Sequence, residues 1–150
     1  MIRTATVEDF GIIAAHRVAM FRDMGHADEA ALDAMNANFI PWVRRKLESG
    51  EYVGWFALAE DGEIVAGVGL WLMDWPPHMV GPGMPRANIL NVYTRPDWRR
   101  KGLARELIRK ALDWCREKGI RTVILHASEE GRGVYAEVGF QPTNEMRLQL

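Results

Sequence analysis

The chain has 150 residues, 48% of them hydrophobic and 26% charged, with a formal net charge of -1. That supplies one sizeable core, as expected of a single domain over residues 1–150, and it excludes a general nucleic-acid or membrane-surface binder, which needs an excess of cations. Cys115 is the only cysteine, so no internal disulfide can form; with Arg3, Glu8 and Asp9 interrupting any apolar leader, the reading is a cytoplasmic protein.

In chain order, "IRTAT" is a short extended start, and Thr6 with Asp9 forms a capping-box pattern ahead of a helix. Phe10, Ile13, Ala14, Val18 and Phe21 then recur at helical spacing until Gly25. "DEAALDAMNANF" predicts a second helix that meets Pro41, which is expected to start a further turn through Leu47. Residues 52–59 and 64–73 are rich in strand formers, and "EDGE" between them signals a hairpin. The apolar run "IVAGVGLWLM" is too short to span a bilayer as a helix.

Residues 73–86 carry too many prolines and glycines for regular pairing and predict a loop. "ANILNVYT" predicts a strand. Residues 102–118 predict a helix with Ala104, Ile108, Ala111 and Cys115 on one stripe, closed by Gly119. "RTVILHAS" predicts a strand, "GRGVYAEV" a short helix and "EMRLQL" a last strand. The order implies an α/β fold, a mixed sheet with helices on both faces. Cys115, on the apolar stripe, is a core residue rather than a nucleophile. The four histidines are scattered without metal-ligand spacing, so no metal is expected.

One stretch does not fit a purely structural reading. "WRRKGLAREL" places Arg99, Arg100 and Lys101 at a helix start, where the backbone is already the positive end of the dipole. An anion among them would resolve the conflict: free N–H groups point at it, Gly102 lets the backbone approach, and the cations offset its charge. By itself the run reads at least as well as a solvated basic turn. P-loop and dinucleotide-binding glycine spacings are absent here; "GVGLWL" lies inside a strand and "GPGMPR" precedes one.

"NVYTRPDWRRKGLARELI" resembles the acetyl-CoA-binding core of the GNAT superfamily of N-acetyltransferases, whose signature Gln/Arg-x-x-Gly-x-Gly/Ala is matched by Arg99, Gly102 and Ala104. "LHASEEGRGVYAEVGFQPTNEM" resembles a second block of that family, with Tyr135 in a short helix before Gly139-Phe140. Arg100 stands where glycine is frequent, and Ser128 where asparagine is common. The resemblance implies a GNAT fold whose sheet splays between the fourth and fifth strands, here 87–94 and 122–127. Acetyl-CoA would lie in the gap, pairing with Val92, Tyr93 and Thr94. Its pyrophosphate would sit on the N–H groups of Arg100, Lys101, Gly102, Leu103 and Ala104, with Arg99 and Ser128 also contributing.

The implied reaction is direct transfer of the acetyl group to an amine, with the Val92 N–H polarising the thioester and Tyr135 as general acid. Asp74, Glu63, His78 and His126 are candidate bases, each at least as well read as a surface or core residue. Phe21, Met24, His26, Phe39, Trp42, Trp71, Trp75, His78 and Met79 are candidates for the acceptor end. The expected acceptor is a small-molecule amine. Alternatives are a protein or peptide amine, or a non-catalytic acyl-CoA-binding domain. A homodimer through the C-terminal strand edge is a candidate assembly.

Overall fold

The computed structural model describes all 150 residues. Strands β1 (Ile2–Thr4), β2 (Tyr52–Leu58), β3 (Ile64–Met73), β4 (Arg86–Thr94) and β5 (Val123–Leu125) form one sheet in that spatial order. The first four are antiparallel neighbours, and β5 runs parallel to β4. A parallel neighbour requires a crossover, which α3 (Leu103–Glu117) provides. Helices α1 (Phe10–Asp23) and α2 (Glu29–Ser49) cover one face; α3 covers the other, with α4 (Arg132–Val138) beside it. No helix is long and apolar enough to cross a membrane.

Alternation along β2 divides the core. Tyr52 and Phe56 pack with Ile13, Ala14, Phe39 and Val43, whereas Trp55 and Ala57 pack toward Leu107, Ile108, Ala111 and Cys115. Of the expected α3 stripe, Ile108, Ala111 and Cys115 are therefore buried, but Ala104 lines an open cleft instead. At the N-terminus the Asp9 carboxylate accepts from the Thr6 N–H at 2.7 Å and holds both Arg3 amino groups at 2.8 Å. The guanidinium beside it keeps the Asp9 carboxyl below the usual carboxylate range.

Three expectations are corrected. Pro41 does not begin a new turn; it lies inside a continuous α2. A proline there leaves the carbonyl four residues back without its donor, but Pro41 and Ala37 are both exposed, so water can satisfy that carbonyl while Phe39 and Val43 bury the opposite face. The strand expected over 122–127 shrinks to Val123–Leu125, because only Ala87, Asn88 and Ile89 of β4 remain beside it. The last strand does not form: residues 141–150 have no regular structure, and Met146, Leu148 and Leu150 are exposed. Alternation makes a segment strand-compatible, but a strand also needs a neighbour to pair with. The sheet edge is thus β5 itself.

The shortening of β5 begins in β4. Gly69 pairs with Leu90 and Gly67 with Tyr93, so two steps on β3 match three on β4. The extra residue is a β-bulge at Asn91, which takes the left-handed conformation at φ 55°. Asn91 is buried, and both ends of its amide are held: Nδ2 donates to Tyr52 Oη at 3.1 Å, and Oδ1 accepts from Arg17 Nη1 at 2.8 Å. Tyr52 reaches it by lying flat over Gly69, where an added Cβ would come within 1.9 Å of Oη.

Gly69→Ala should therefore expel the Tyr52 ring and unpin the bulge. Overpacking typically costs about 1–3 kcal/mol, and the lost hydrogen bond about 1 kcal/mol more. Urea denaturation should show a loss within that combined range; wild-type stability would mean that the Tyr52–Asn91 contact does not hold the bulge.

Candidate active site

Beyond Ile89 and Leu125, β4 and β5 separate, and an open cleft of about 1310 Å³ occupies the gap. Its walls come from β4, the loop before α3, the segment after β5, α4 and one side of α1 and α2.

Hydrogen bonding shows which backbone groups face the opening. The Arg95 N–H donates to the Val65 carbonyl at 2.9 Å. By antiparallel alternation Tyr93 turns its groups to Gly67, and Thr94 turns its own the other way, into the cleft. The Thr94 carbonyl indeed accepts from Arg99 Nε at 2.9 Å on that side. Counting back by two, the next outward position is Val92, inside the bulge. The cleft thus carries a strip of sheet edge without a sheet partner, the kind of surface that an extended polar chain can pair with.

At one end lies the basic loop. Arg100 and Gly102 are both left-handed, at φ 62° and 80°, and α3 begins at Leu103. The N–H groups from Arg100 to Arg105 have no main-chain acceptor, since the first loop-to-helix bond runs from Glu106 to Gly102. A Cβ on Gly102 would meet no protein atom within 4 Å, so the space over the loop is open. Successive free N–H groups at a helix start form an anion cradle. For an arginine the left-handed conformation costs about 1–2 kcal/mol, a strain of the kind that collects at ligand clamps.

The three basic side chains separate. Arg99 is tied across the cleft to the Asp23 carboxylate and to the Thr94 carbonyl. Lys101 turns away, with its ammonium 4.5 Å from the Trp98 ring centre, and does not line the cleft. Arg100 lines the cleft with no carboxylate partner.

Tyr135 enters the same cleft from α4. Its ring packs edge-on to Phe140 and lies over Gly131, where an added Cβ would be 2.8 Å from Cε2. Its hydroxyl has no hydrogen-bond partner in the protein, and burial raises its pKa, so the phenol stays protonated at neutral pH. Ser128 lines the cleft as well, but its Oγ accepts from the Gly131 N–H at 3.1 Å and so caps the approach to α4.

The opposite end is aromatic. Phe39 stacks on Trp42 with ring centres 5.7 Å apart, and Trp42 meets Trp71 edge-on at 5.6 Å. Phe21, Met20 and Met24 of the α1 region complete that wall, with Arg17 among them. Beneath the sheet edge, His16 lies 4.8 Å from the Tyr93 ring centre; burial pushes its pKa down to about 4, and it stays neutral.

Of the residues expected from sequence, Val92, Tyr93, Thr94, Arg99, Arg100, Gly102, Leu103, Ala104, Ser128 and Tyr135 line this one cleft. Phe21, Met24, Phe39, Trp42, Trp71 and His126 line it too. Lys101, His26, Asp74, Trp75, His78, Met79 and Glu63 do not. Trp75 and His78 flank a separate small recess near Arg86 and Arg121, and Glu63 pairs with Arg95 at 2.8 Å. Sequence reasoning missed Arg17, Asp23 and Asn91. Asn91 carried a signal, as an amide side chain, poor in strand preference, set between Leu90 and Val92.

A model of the Acetyltransferase (GNAT) family matches residues 15–140. The chain is similar throughout to a GCN5-related N-acetyltransferase from Ralstonia eutropha JMP134, with 37% identity, a TM-score of 0.93, and coverage of 100% of this chain and 97% of that one. It is 30% identical over 129 residues to glucosamine 6-phosphate N-acetyltransferase of Trypanosoma brucei brucei, covering 85% of this chain and 84% of that protein. It is 25% identical over 136 residues, 86% and 82% of the two chains, to a Bacillus subtilis (strain 168) protein provisionally named a ribosomal protein bS18-alanine N-acetyltransferase. The family match spans most of the chain, and a splayed mixed sheet with an anion cradle at α3 agrees with it: this protein belongs to the GNAT family of acetyl-CoA-dependent N-acetyltransferases.

Proposed function

We propose that this enzyme moves the acetyl group of acetyl-CoA directly to the primary amine of a small molecule, in the cytoplasm, with Tyr135 as general acid. The observation that carries the reading is the convergence of three features on one cleft: the sheet edge without a strand partner at Val92 and Thr94, the free N–H groups before α3, and the unpartnered Tyr135 hydroxyl.

The residues fit acetyl-CoA from end to end. The N–H groups of Arg100 to Ala104 and the Arg100 side chain suit a pyrophosphate, and the edge groups of Val92 and Thr94 suit the amides of a pantetheine arm. Bound acetyl-CoA supplies the thioester to be attacked. The Val92 N–H, fixed by the bulge, donates to the thioester oxygen as negative charge grows there, an interaction stronger in the transition state than in the ground state. The attacking amine must be neutral; an ordinary alkyl ammonium has a pKa near 10.4, so it first gives a proton to water in the open cleft. Tyr135 donates its phenolic proton to the departing sulfur as the carbon–sulfur bond breaks, and the nitrogen, now bonded to the acetyl carbon, releases its surplus proton through cleft water to restore the phenol.

The aromatic wall of Phe39, Trp42 and Trp71 supports a compact acceptor, whose apolar body its ring faces can hold. A peptide amine is the second reading, favoured by the relative named for acetylating an alanine of a ribosomal protein. Coenzyme A release measured with a panel of small amines, peptides and no acceptor separates the two. Turnover should appear with small amines and stay at background with peptides; the reverse would make this a peptide acetyltransferase.

Tyr135→Phe removes only the hydroxyl and keeps the ring against Phe140. It should lower kcat by about tenfold to a thousandfold with little change in the KM for acetyl-CoA, as for a lost transition-state interaction. The sign with pH follows. The acid works while protonated, and its pKa is raised, so the wild-type rate should be lost through this group only above about pH 10, the ordinary phenol value. That alkaline loss should vanish in the variant. Full kcat in Tyr135→Phe would assign the proton to solvent.

A further inference from the structure

The cleft contains five arginines: Arg17, Arg99, Arg100, Arg105 and Arg147. Arg99 pairs with Asp23, Arg105 with Glu137, and Arg147 with Glu145. Arg100 stands at the anion cradle. Arg17 is at the opposite end, and no carboxylate approaches it.

The surroundings of Arg17 are unusual for a cation. Its guanidinium carbon lies 5.1 Å from the Phe21 ring centre and 4.9 Å from that of Phe39. Nη1 donates to Asn91 Oδ1 at 2.8 Å, and Nε is buried with no acceptor at all. Aromatic faces and one amide stabilise the charge without neutralising it. A buried donor without a partner costs about 1–3 kcal/mol. The fold therefore maintains a rigid, positively charged fork that faces the cleft and lacks a counter-ion. Asn91, which fixes the fork, is next to Val92, so the fork lies beside the backbone group assigned to the thioester oxygen.

We propose that Arg17 is the anion subsite for the acceptor, and that the substrate is an amine which also carries a carboxylate or a phosphate. This rests on the acetyltransferase reading above. The planar guanidinium matches either group through paired N–H donors, whereas the Phe21, Phe39 and Trp42 walls hold the substrate's apolar body. The two arginines without carboxylate partners then divide the work by position: Arg100 toward the phosphates of acetyl-CoA, Arg17 toward the anion that the acceptor brings.

The test uses matched amines that differ in the anion alone. Phenylalanine is set against phenethylamine, and glucosamine 6-phosphate against glucosamine, with acetyl-CoA saturating. Wild-type enzyme should prefer the anionic member of at least one pair by tenfold or more in kcat/KM, and the pair that shows it identifies carboxylate or phosphate. Arg17→Gln should bring that ratio close to one, and Arg17→Lys should keep part of it; a packing role would lower both members together and leave the ratio alone. Equal use of both members, or turnover of neutral amines only, overturns the proposal, and so does a preference that survives in Arg17→Gln. Should the glutamine variant fail to fold, the wild-type ratios and Arg17→Lys still decide. Failure to bind acetyl-CoA by calorimetry would instead fault the underlying acetyltransferase reading.

Discussion

One extra residue in β4 organises this protein. The bulge at Asn91 puts two residues of β4, Asn91 and Val92, against Val68 alone of β3, and from there β4 and β5 diverge. An exposed strand edge is ordinarily a liability, because its free N–H and C=O groups invite aggregation. Here the edge is recessed in a cleft, between the α1 side and the loop before α3. Left-handed backbone is tolerated by asparagine better than by most residues, and the side chain that makes it tolerable is also anchored at both ends, by Tyr52 and Arg17. Gly69 matters because Tyr52 could not otherwise cross β3 to reach the bulge. Four residues on four elements thus act as a unit, and such units respond to substitution non-additively.

The second device is electrostatic. Cations at a helix start oppose the dipole, yet "RRKG" stands there. The structure lowers that conflict by dispersing the charges: Arg99 is neutralised by Asp23, and Lys101 sits against Trp98. Only Arg100 adds its charge to the free N–H groups over the cleft. The backbone adds roughly half a positive charge at the helix start, and unlike the Arg100 side chain it cannot swing away. The bridge from Arg99 to Asp23 also joins the loop to the end of α1, so the basic end and the aromatic end of the cleft are mechanically connected.

Much of this was legible in the sequence where local pattern and tertiary context agree. The hairpin of β2 and β3, the buried stripe of α3 and the basic loop each follow from spacing and turn chemistry. Misreadings arose where a partner decides the outcome. Pro41 looks like a helix start, but its lost hydrogen bond falls on the solvent side, so α2 runs through it. "EMRLQL" alternates as a strand should, but it lacks a neighbour. Lys101 belongs to the same charged run as Arg100, and only the opposite turn of its side chain separates them. Arg17 was invisible because an arginine in an amphipathic helix usually faces water; its meaning depends on Asn91, 74 positions away.

The central claim is that the bulge presents the main-chain groups of Val92 and Thr94 to acetyl-CoA while Tyr93 remains paired with β3. Amide hydrogen exchange by NMR, with and without saturating acetyl-CoA, tests it residue by residue. The account predicts strong slowing at Val92 and Thr94 with little change at Tyr93, which is already bonded to Gly67. Unchanged exchange at Val92 and Thr94 in the saturated enzyme would contradict it.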